Sequence, residues 1–332
     1  MKIAVLGAGS WGTALSNVIS DNNHRVFLWA RRKELAEEIN QIKENREYLP
    51  GVKINPSIFV THDMEYAVKD SDIIILATPS QALRFIVKDA KKYILKKDAI
   101  IVSASKGIEN DSLLRMSEVI KEEVPHISQI AVISGPSHAE EVVRRFPTAV
   151  VVASKDKKVL KILQDVFINN YFRVYRNSDI IGVELGGALK NVIAICSGVS
   201  EGLGYGDNTR AALITRGIIE IMRLGKKLGA KSSTFSGLSG VGDVIVTCNS
   251  MHSRNRRAGI DIGKGKEVED VIKSTNMVIE GIYTTKAAKR LSDLYEVEMP
   301  ITQEAYKVLF EGKDPKKAVE DLMSRSGKIE IY

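Results

Sequence analysis

Cysteine is scarce in this 332-residue chain: only Cys196 and Cys248 occur, and neither belongs to a CxxC or a Cys/His spacing. A disulfide framework and a zinc site are therefore not expected, and both thiols are predicted to be buried. The chain also lacks an apolar run approaching the roughly 20 residues that span a bilayer. Its first apolar run, residues 2–6, meets glycine too early for a signal peptide. These absences favour a cytosolic protein that is not inserted in a membrane.

Basic residues outnumber acidic residues only slightly, 48 to 41, and lie scattered among them. Aromatic residues make up 6% of the chain, and no tract interleaves them with basic residues, so nucleic acid is not a predicted partner. The net charge of +7 either suits an anionic ligand or belongs to a solvated, lysine-rich surface. With 44% hydrophobic and 27% charged residues, the composition is that of a globular protein long enough for two domains.

The first thirty residues predict a strand, a helix and a second strand. The apolar run at residues 2–6 indicates a parallel strand that is covered on both faces. A glycine loop, Gly7-Ala8-Gly9-Ser10-Trp11-Gly12, follows it directly. Residues 13–19 then have helical spacing, and after a polar break residues 25–30 indicate the second strand. This order is a βαβ unit of ordinary length.

Further strand-like runs alternate with helical or polar segments, at residues 73–77, 99–103, 130–133, 149–153 and 172–175. This alternation predicts an α/β fold with a doubly wound, mainly parallel sheet of the Rossmann type. From residue 183 onward the periodicity is mostly helical, as in 184–199, 211–228 and 300–309. We therefore expect one domain over residues 1–182, an all-helical C-terminal domain over 183–332, and a ligand cleft between them.

The glycine loop indicates a dinucleotide site. Gly7 permits a tight bend, Gly9 lets the backbone approach a pyrophosphate, and Gly12 allows close packing of the helix. The free N–H groups of the helix start then face the anion. A GxGxxG pattern alone is a weak signal, but here the strand before it, the helix after it and the second strand are all present. The first domain is therefore predicted to bind NAD(P).

The end of the second strand bears on which dinucleotide is bound. NAD-preferring sites carry an acidic residue there, whereas this chain places Arg31 and Arg32 at that point. Two guanidinium groups can hold a 2′-phosphate, so NADP(H) is the preferred cofactor and NAD(H) a possible one. The alternatives are that both arginines face solvent, or that the nearby Glu34 takes the ribose.

Two lysines are candidates for a proton donor beside a substrate carbonyl. Lys106 follows the run at residues 99–103, at the carboxyl end of the sheet where ligands of such folds bind. Lys190 lies in an otherwise apolar, small-residue helical segment. Such a lysine either extends to water or has its pKa lowered by burial and acts in catalysis.

Two further segments bear on this chemistry. Asp243 follows the loop of residues 237–242, which is too rich in glycine for a regular helix; it either caps a helix or holds the ammonium group of Lys190. Ser253-Arg254-Asn255 offers the cationic and amide donors that a phosphate dianion requires, or is an exposed basic turn. Residues 134–137 form either an ordinary turn or part of the cleft.

Taken together, these segments resemble the bacterial NAD(P)-dependent sn-glycerol-3-phosphate dehydrogenases along nearly the whole chain. The order and number of the matching segments are more specific than any one of them. They are the glycine loop, Ser105-Lys106-Gly107, Ser134-Gly135-Pro136-Ser137-His138-Ala139, residues 184–191, 202–208 and 237–243, Ser253-Arg254-Asn255 and Val278-Ile279-Glu280-Gly281.

The resemblance implies reduction of dihydroxyacetone phosphate to sn-glycerol 3-phosphate with NAD(P)H, which feeds phospholipid synthesis, and it implies a homodimer. It makes Lys190 the general acid of reduction and the base of the reverse reaction, with Lys106 polarising the carbonyl. Asp243 and Thr247 would orient Lys190 and the substrate. The phosphate would be bound by Arg254 and Asn255, with Ser253, Gly135 and Ser137 completing the substrate site. The implied cofactor contacts are Gly7, Gly9, Ser10, Trp11, Gly12, Arg31, Arg32, Lys106, Ala139, Arg254, Val278 and Glu280.

Two other functions are consistent with parts of the pattern. One is a related dehydrogenase, of the 6-phosphogluconate or ketopantoate class, against which Ser253-Arg254-Asn255 and the loop ending in Asp243 argue. The other is a protein that senses NADPH, or serves as a scaffold, without catalysis. The joint presence of Lys106, Lys190 and Asp243 argues against that one.

Overall fold

The structure, a computed structural model, describes residues 1–275, 277–327 and 329–330. Its first half is a twisted sheet flanked by helices. The strands are β1 (Lys2–Leu6), β2 (Arg25–Trp29), β3 (Phe59–Thr61), β4 (Ile73–Leu76), β5 (Ile100–Ser103), β6 (Ile130–Ser134), β7 (Thr148–Ser154) and β8 (Phe172–Asn177). The helices are α1 (Ser10–Asp21), α2 (Lys33–Ile42), α3 (Met64–Val68), α4 (Leu83–Ala90), α5 (Met116–Glu123), α6 (Ala139–Val142) and α7 (Lys157–Phe167), with short 3₁₀ turns at Ser80–Ala82 and Lys91–Tyr93.

The second half is helical. It consists of α8 (Ile180–Gly202), α9 (Asp207–Lys227), α10 (Ser232–Phe235), α11 (Asp243–Asn249), α12 (Arg254–Gly263), α13 (Val268–Lys273), α14 (Glu280–Leu294), α15 (Pro300–Phe310) and α16 (Pro315–Met323). A π-helical turn at Leu238–Gly242 leads directly into α11. The fold class expected from the sequence is thus confirmed.

The sheet has the strand order β3-β2-β1-β4-β5-β6-β7-β8. All neighbouring strands are parallel except β6 and β7, which are antiparallel. The first six strands have the order of a dinucleotide-binding fold. Strands β1 to β3 are added toward one edge of the sheet and β4 to β6 toward the other, so the strand order reverses between β1 and β4. Ligands of such sheets bind outside the carboxyl ends of the strands at this switch point.

Alternation along β1 shows how the sheet is covered on both faces. Ile3 and Val5 belong to one apolar core and Ala4 and Leu6 to the other, and all four are fully buried. Successive side chains of a strand point to opposite faces, so a strand between two helical layers must be apolar throughout. This is why the buried strands were visible in the sequence.

The structure departs from the sequence expectations at three points. Strand β3 was not predicted, because it has three residues and begins with the half-exposed Phe59. The glycine-rich segment before Asp243 is a π-helical turn rather than an open loop. Cys248 is buried as predicted, but Cys196 is only partly buried, so that prediction was wrong for one of the two thiols.

Helix α8 is the core of the second half. Asp179 caps its start by accepting a hydrogen bond from the Gly182 N–H at 3.0 Å. By length and composition it is the one helix within the described residues apolar enough to cross a membrane, so the expectation that no apolar run approaches this length was wrong. However, 78% of its most apolar window is buried inside the protein. Packing against the surrounding helices therefore accounts for its composition.

Helices α8 and α12 meet through glycines. A Cβ on Gly198 would lie 2.1 Å from the carbonyl oxygen of Arg256, and one on Gly263 would lie 2.4 Å from that of Val199. Gly202 and Gly259 have equally close backbone neighbours. The two main chains therefore touch without intervening side chains, and α12 is held against the C-terminal part of α8.

Candidate active site

A cleft of about 690 Å³ opens between the carboxyl ends of the strands and the helical half. Its volume is in the range of small-molecule sites. The residues that line it include Gly7, Gly9, Ser10, Trp11, Arg31, Arg32, Lys106, Ser137, Ala139, Lys190, Thr247, Ser253, Arg254, Asn255, Val278 and Glu280, all of which were predicted as site residues.

Three other predicted site residues lie behind the cleft wall rather than in it. Gly12 packs against the glycine loop, Gly135 offers its carbonyl oxygen to Lys106, and Asp243 is fully buried between two lysines. Direct contacts with cofactor or substrate were expected of these residues. Their position suits holding the residues that line the cleft.

The glycine loop has the shape that a dinucleotide site needs. Gly7 has a φ of +119°, and a Cβ there would lie 2.5 Å from the carbonyl oxygen of Ala77. A Cβ on Gly12 would lie 1.9 Å from the carbonyl oxygen of Gly7. A Cβ on Gly9, by contrast, would meet nothing within 4 Å. Gly9 therefore leaves open space in front of the helix start, where a pyrophosphate can approach the backbone.

Two lysines converge on one buried carboxylate at the other end of the cleft. Lys106 Nζ donates to Asp243 Oδ2 at 2.7 Å and to the carbonyl oxygen of Gly135 at 2.9 Å. Lys190 Nζ donates to Asp243 Oδ1 and, at 2.8 Å, to Thr247 Oγ1. The Thr247 hydroxyl in turn donates to the backbone carbonyl of Asp243 at 2.6 Å. Each ammonium group thus has two partners for its three N–H bonds, which leaves one donor on each lysine for a ligand.

The charges in this cluster alter its proton affinities. Burial lowers the pKa of Lys190 to about 8; Asp243 opposes this shift, and the Lys106 ammonium adds to it. Burial alone would raise the pKa of Asp243, but Lys106 and Lys190 hold it below its usual value. Asp243 therefore stays ionised, while Lys190 exchanges its proton near neutral pH.

The start of helix α12 forms another part of the cleft wall. Ser253 caps the helix by accepting a hydrogen bond from the Arg256 N–H at 3.2 Å. Arg254 is exposed, and it donates to the carbonyl oxygen of Val278 at 2.9 Å. Asn255 is buried; its amide donates to Asn191 Oδ1 and accepts from the Gly281 N–H, both at 2.9 Å. A cation and a helix N-terminus therefore face the same space, as an anion-binding site requires.

Two carboxylates, the buried Glu184 and the partly buried Glu280, link the two halves of the protein. Glu280 accepts from the N–H of Ser80 at 2.9 Å and from its hydroxyl at 2.5 Å. Glu184 accepts from the N–H and the hydroxyl of Ser117, both at 2.7 Å. Burial raises the pKa of both carboxyl groups. These bonds hold the start of α8 against the start of α5, and the start of α14 against the 3₁₀ turn at Ser80–Ala82.

The two arginines after β2 differ in their contacts. Arg32 is paired with Glu47 at the surface. For Arg31, which is exposed at the cleft, no ion pair is found among the residues that the structure describes. Arg31 is therefore the freer of the two to contact a 2′-phosphate.

Several polar atoms in the cleft wall are buried without a partner within the described ranges. They include Trp11 Nε1, Thr78 Oγ1 and His138 Nε2. Buried polar groups in proteins are nearly always hydrogen-bonded, so unsatisfied ones in a cleft suit a bound ligand. With the open space at Gly9, they show that the residues present fit a dinucleotide and a small substrate.

Sequence reasoning missed several residues that line the cleft, including Tyr48, Thr78, His138, Asn191 and Tyr283. Thr78 follows β4, and the rule for strand ends could have found it. His138 and Asn191 stand inside segments that were singled out, but no role was assigned to them. For Tyr48 and Tyr283 the sequence offers no local signal, because only the fold brings them to the cleft.

A Rossmann-type sheet whose glycine loop opens onto a cleft, together with a lysine–carboxylate cluster in the same cleft, defines a dinucleotide-dependent oxidoreductase. The chain belongs to the NAD-dependent glycerol-3-phosphate dehydrogenase family. The family model for the N-terminus matches residues 2–160, and the model for the C-terminus matches residues 179–320.

Individual relatives agree. The glycerol-3-phosphate dehydrogenase [NAD(P)+] of Bacillus velezensis is 56% identical over 326 residues, which cover 98% of this chain and 94% of the relative. A crystal structure of glycerol-3-phosphate dehydrogenase from Coxiella burnetii superimposes with a TM-score of 0.93 at 37% identity, covering 97% of this chain and 98% of that one.

The rival enzyme classes are excluded by this membership. A ketopantoate reductase from Ralstonia eutropha has a TM-score of only 0.60 at 15% identity, over 96% of this chain and 100% of that one. That likeness extends to the fold alone. The interpretation as a ketopantoate or 6-phosphogluconate enzyme is therefore wrong, and membership in a family of dehydrogenases also argues against a protein without catalysis.

Proposed function

We propose that the protein interconverts dihydroxyacetone phosphate and sn-glycerol 3-phosphate, with hydride from or to NADPH or NADH and with Lys190 as the acid and base. The observation that carries this proposal is the buried cluster of Lys190, Lys106 and Asp243 at the cleft. A bound nicotinamide supplies the hydride in such an enzyme. The chain itself must supply a proton, a means of polarising the carbonyl, and a site for the phosphate.

Lys190 is suited to the proton transfer. With the pKa of Lys190 lowered to about 8, this side chain is protonated in about nine-tenths of the molecules at pH 7. It nevertheless releases its proton far more readily than an exposed lysine does. During reduction the carbonyl carbon accepts the hydride, and the carbonyl oxygen takes the proton from Lys190 Nζ. The neutral amine keeps its contacts with Asp243 and Thr247 and regains a proton from water. In the oxidation direction the neutral amine accepts the proton of the substrate hydroxyl.

Lys106 supports this step in two ways. Its remaining N–H donor can bond the carbonyl oxygen, which stabilises the negative charge that develops there. Its ammonium also lowers the pKa of Lys190. Asp243 holds both lysines and acts through them, so we assign it a positioning role.

The phosphate is assigned to Arg254 and the N-terminus of α12. The Arg254 guanidinium offers charged donors, and Ser253 caps the N-terminus of α12 in the cleft. Asn255 uses its amide to join Asn191 and Gly281, so it shapes this site through those contacts. Ser137 lines the cleft, and its hydroxyl donates to the Gly135 carbonyl, which also accepts from Lys106; we assign it to the substrate site.

The cofactor is assigned to the glycine loop and to the residues that follow β2. The loop would hold the pyrophosphate, and Arg31 would contact the 2′-phosphate of NADP(H). Trp11, Ala139, Val278 and Glu280 complete the assigned contacts. We also propose a homodimer that acts in the cytosol without membrane insertion and supplies glycerol 3-phosphate for phospholipid synthesis; size-exclusion chromatography with light scattering tests the dimer.

The test of the main proposal is the rate of NADPH oxidation with dihydroxyacetone phosphate as the acceptor. We expect turnover by the parent protein, and Lys190→Met should lower kcat about 10²- to 10⁴-fold while the affinity for NADPH changes little. Lys155→Met also removes one positive charge, but at an exposed lysine that is not among the cleft residues, so this variant should keep the full rate. No turnover by the parent would overturn the function, and full activity of Lys190→Met would overturn the assignment of the acid.

A further inference from the structure

Glu47 is an acidic residue beside the cofactor end of the cleft, and the assignments above give it no role. It belongs to the turn of residues 45–48, which follows α2. Its carboxylate is paired with the guanidinium of Arg32, and Arg32 lines the cleft shortly after β2. Glu47 itself is not one of the residues that line the cleft. Its carboxylate therefore stands behind a cation that faces the ligand.

The turn that carries Glu47 is fastened to the glycine loop. Asn45, which is fully buried, donates from its amide to the carbonyl oxygen of Ala8 at 2.9 Å. The Ser10 hydroxyl donates to the carbonyl oxygen of Tyr48 at 2.8 Å. Within the turn, Asn45 Oδ1 accepts from the Tyr48 N–H at 3.2 Å. The backbone of Glu47 thus lies between two residues that are bonded to the loop assigned to the pyrophosphate.

The ion pair keeps both of its groups charged. Partial burial would raise the pKa of Glu47, but the hydrogen bond from the Arg32 guanidinium holds it below its usual value. The same bond raises the pKa of Arg32. At neutral pH a negative charge therefore lies against one of the two guanidinium groups that are candidates for the 2′-phosphate.

This negative charge acts differently on NADPH and on NADH. The two dinucleotides differ in the 2′-phosphate, which carries between one and two negative charges near neutral pH. To bind this group, Arg32 must share the donors that it presents to Glu47, and the carboxylate repels the phosphate. NADH meets neither cost, because its 2′ position carries a neutral hydroxyl.

We propose that Glu47 is a specificity-determining residue, which competes with the 2′-phosphate of NADPH for the Arg32 guanidinium and so limits the preference for NADPH over NADH. The inference rests on the cofactor assignment proposed above and deepens it. It places an acidic residue that bears on the choice of dinucleotide 15 positions beyond Arg32, rather than at the end of β2, where NAD-preferring sites carry theirs. Both side chains of the pair reach solvent, so the effect is modest, since such pairs change an equilibrium by up to about fivefold.

The experiment measures the dissociation constants of NADPH and of NADH by fluorescence titration at low ionic strength, without substrate. Glu47→Gln nearly keeps the size of the side chain and removes its charge. We expect this variant to bind NADPH about three- to fivefold more tightly and NADH with the affinity of the parent. The gain for NADPH should shrink as salt is added, because salt screens exposed charges. Glu37→Gln removes the same charge from an exposed acid of α2 that is paired with Lys33, and it should change neither constant.

A double variant tests whether Glu47 acts through Arg32. Arg32→Met should weaken the binding of NADPH, and Glu47→Gln added to it should then give little further change. An undiminished gain in the Arg32→Met background would overturn the competition for Arg32, and equal gains for both dinucleotides, or no gain for NADPH, would overturn the role in specificity. If neither Arg31→Met nor Arg32→Met weakens the binding of NADPH, the cofactor assignment itself is wrong, whereas an effect of both without one of Glu47→Gln refutes this inference alone.

Discussion

Removing the charge of Lys106 should move the pH at which the enzyme loses activity. Under the proposed assignment, reduction requires Lys190 in its protonated form, so kcat/KM for dihydroxyacetone phosphate should be constant below pH 8 and fall as the pH rises through about 8. Under the same assignment, oxidation of glycerol 3-phosphate requires the neutral amine, and its rate should rise through the same pH. Lys106→Met removes the cation that helps to lower this pKa and leaves Asp243 to Lys190 alone. Both changes favour protonated Lys190, so the fall in the rate of reduction and the rise in the rate of oxidation should both shift to higher pH.

The size of the shift follows from the geometry. The two ammonium groups bind the two oxygens of one carboxylate, which places them about 5 Å apart. At an effective dielectric constant of about 20, two unit charges at that separation repel by about 3 kcal/mol, or roughly two pKa units. Water that enters the space of the lost ammonium group reduces this value. We therefore expect an upward shift of about one to two units.

The assay is the initial rate of NADPH oxidation between pH 6.5 and 10, at saturating cofactor. Lys106→Met will also lose rate through weaker polarisation of the carbonyl, but the midpoint of the pH profile does not depend on that amplitude. Lys155→Met controls for the change in net charge. A Lys106→Met profile that overlies the parent, or that moves to lower pH, would refute the electrostatic coupling of the two lysines.

Three further changes have defined outcomes. Gly9→Ala should have the melting temperature of the parent but should bind NADPH on the order of tenfold more weakly in a fluorescence titration. Gly12→Ala, whose Cβ would lie 1.9 Å from a carbonyl oxygen, should lose about 1–3 kcal/mol of stability. The reverse pattern would contradict the assignment of the loop. Arg31→Ala should reduce the kcat/KM preference for NADPH over NADH roughly 10- to 100-fold, and more than Arg32→Ala does, because Arg32 is paired with Glu47. Burial raises the pKa of Glu220 from 4.5 to about 7, so its contribution to stability is full below pH 4.5 and is lost as the pH rises through 7, by about 3 kcal/mol. The melting temperature of Glu220→Gln should therefore fall less than that of the parent between pH 5 and 8, and parallel curves would show that Glu220 is not the group responsible.

The dinucleotide half was predictable because its signals are local. A buried parallel strand is an apolar run, and the glycine loop lies between such a run and a helix, so both can be recognised within about twelve residues. Strand β3 has no such signal: it pairs with β2 through only three residues, one of them exposed. Its position depends on its partner strand rather than on its own sequence.

The lysine cluster shows where local reasoning ends. Lys106 and Lys190 lie 137 and 53 positions from Asp243, and nothing in these intervals indicates that the three side chains meet. The π-helical turn at Leu238–Gly242 places Asp243 at this point, and its glycine content was read only as a break in a helix. The family resemblance supplied the association that spacing did not. His138 lies within a segment that matches the family, but its neighbours in the cleft come from distant parts of the chain, so only the fold shows its environment.

The glycine contact between α8 and α12 has a consequence for the size of the substrate. Lys190 lies on α8, and Arg254 begins α12, so under the proposed assignments the proton donor and the phosphate site are carried by two main chains that touch. No side chain lies between Gly198 and Gly259 that could change rotamer and let the helices separate. The separation of the two helices, which carry the Cα atoms of Lys190 and Arg254, is then set by main-chain contact. Under the proposed assignments we expect a ketone phosphate with one more methylene group to be reduced less efficiently, because only the side chains of Lys190 and Arg254, and not the helices that carry them, can adjust to the extra carbon.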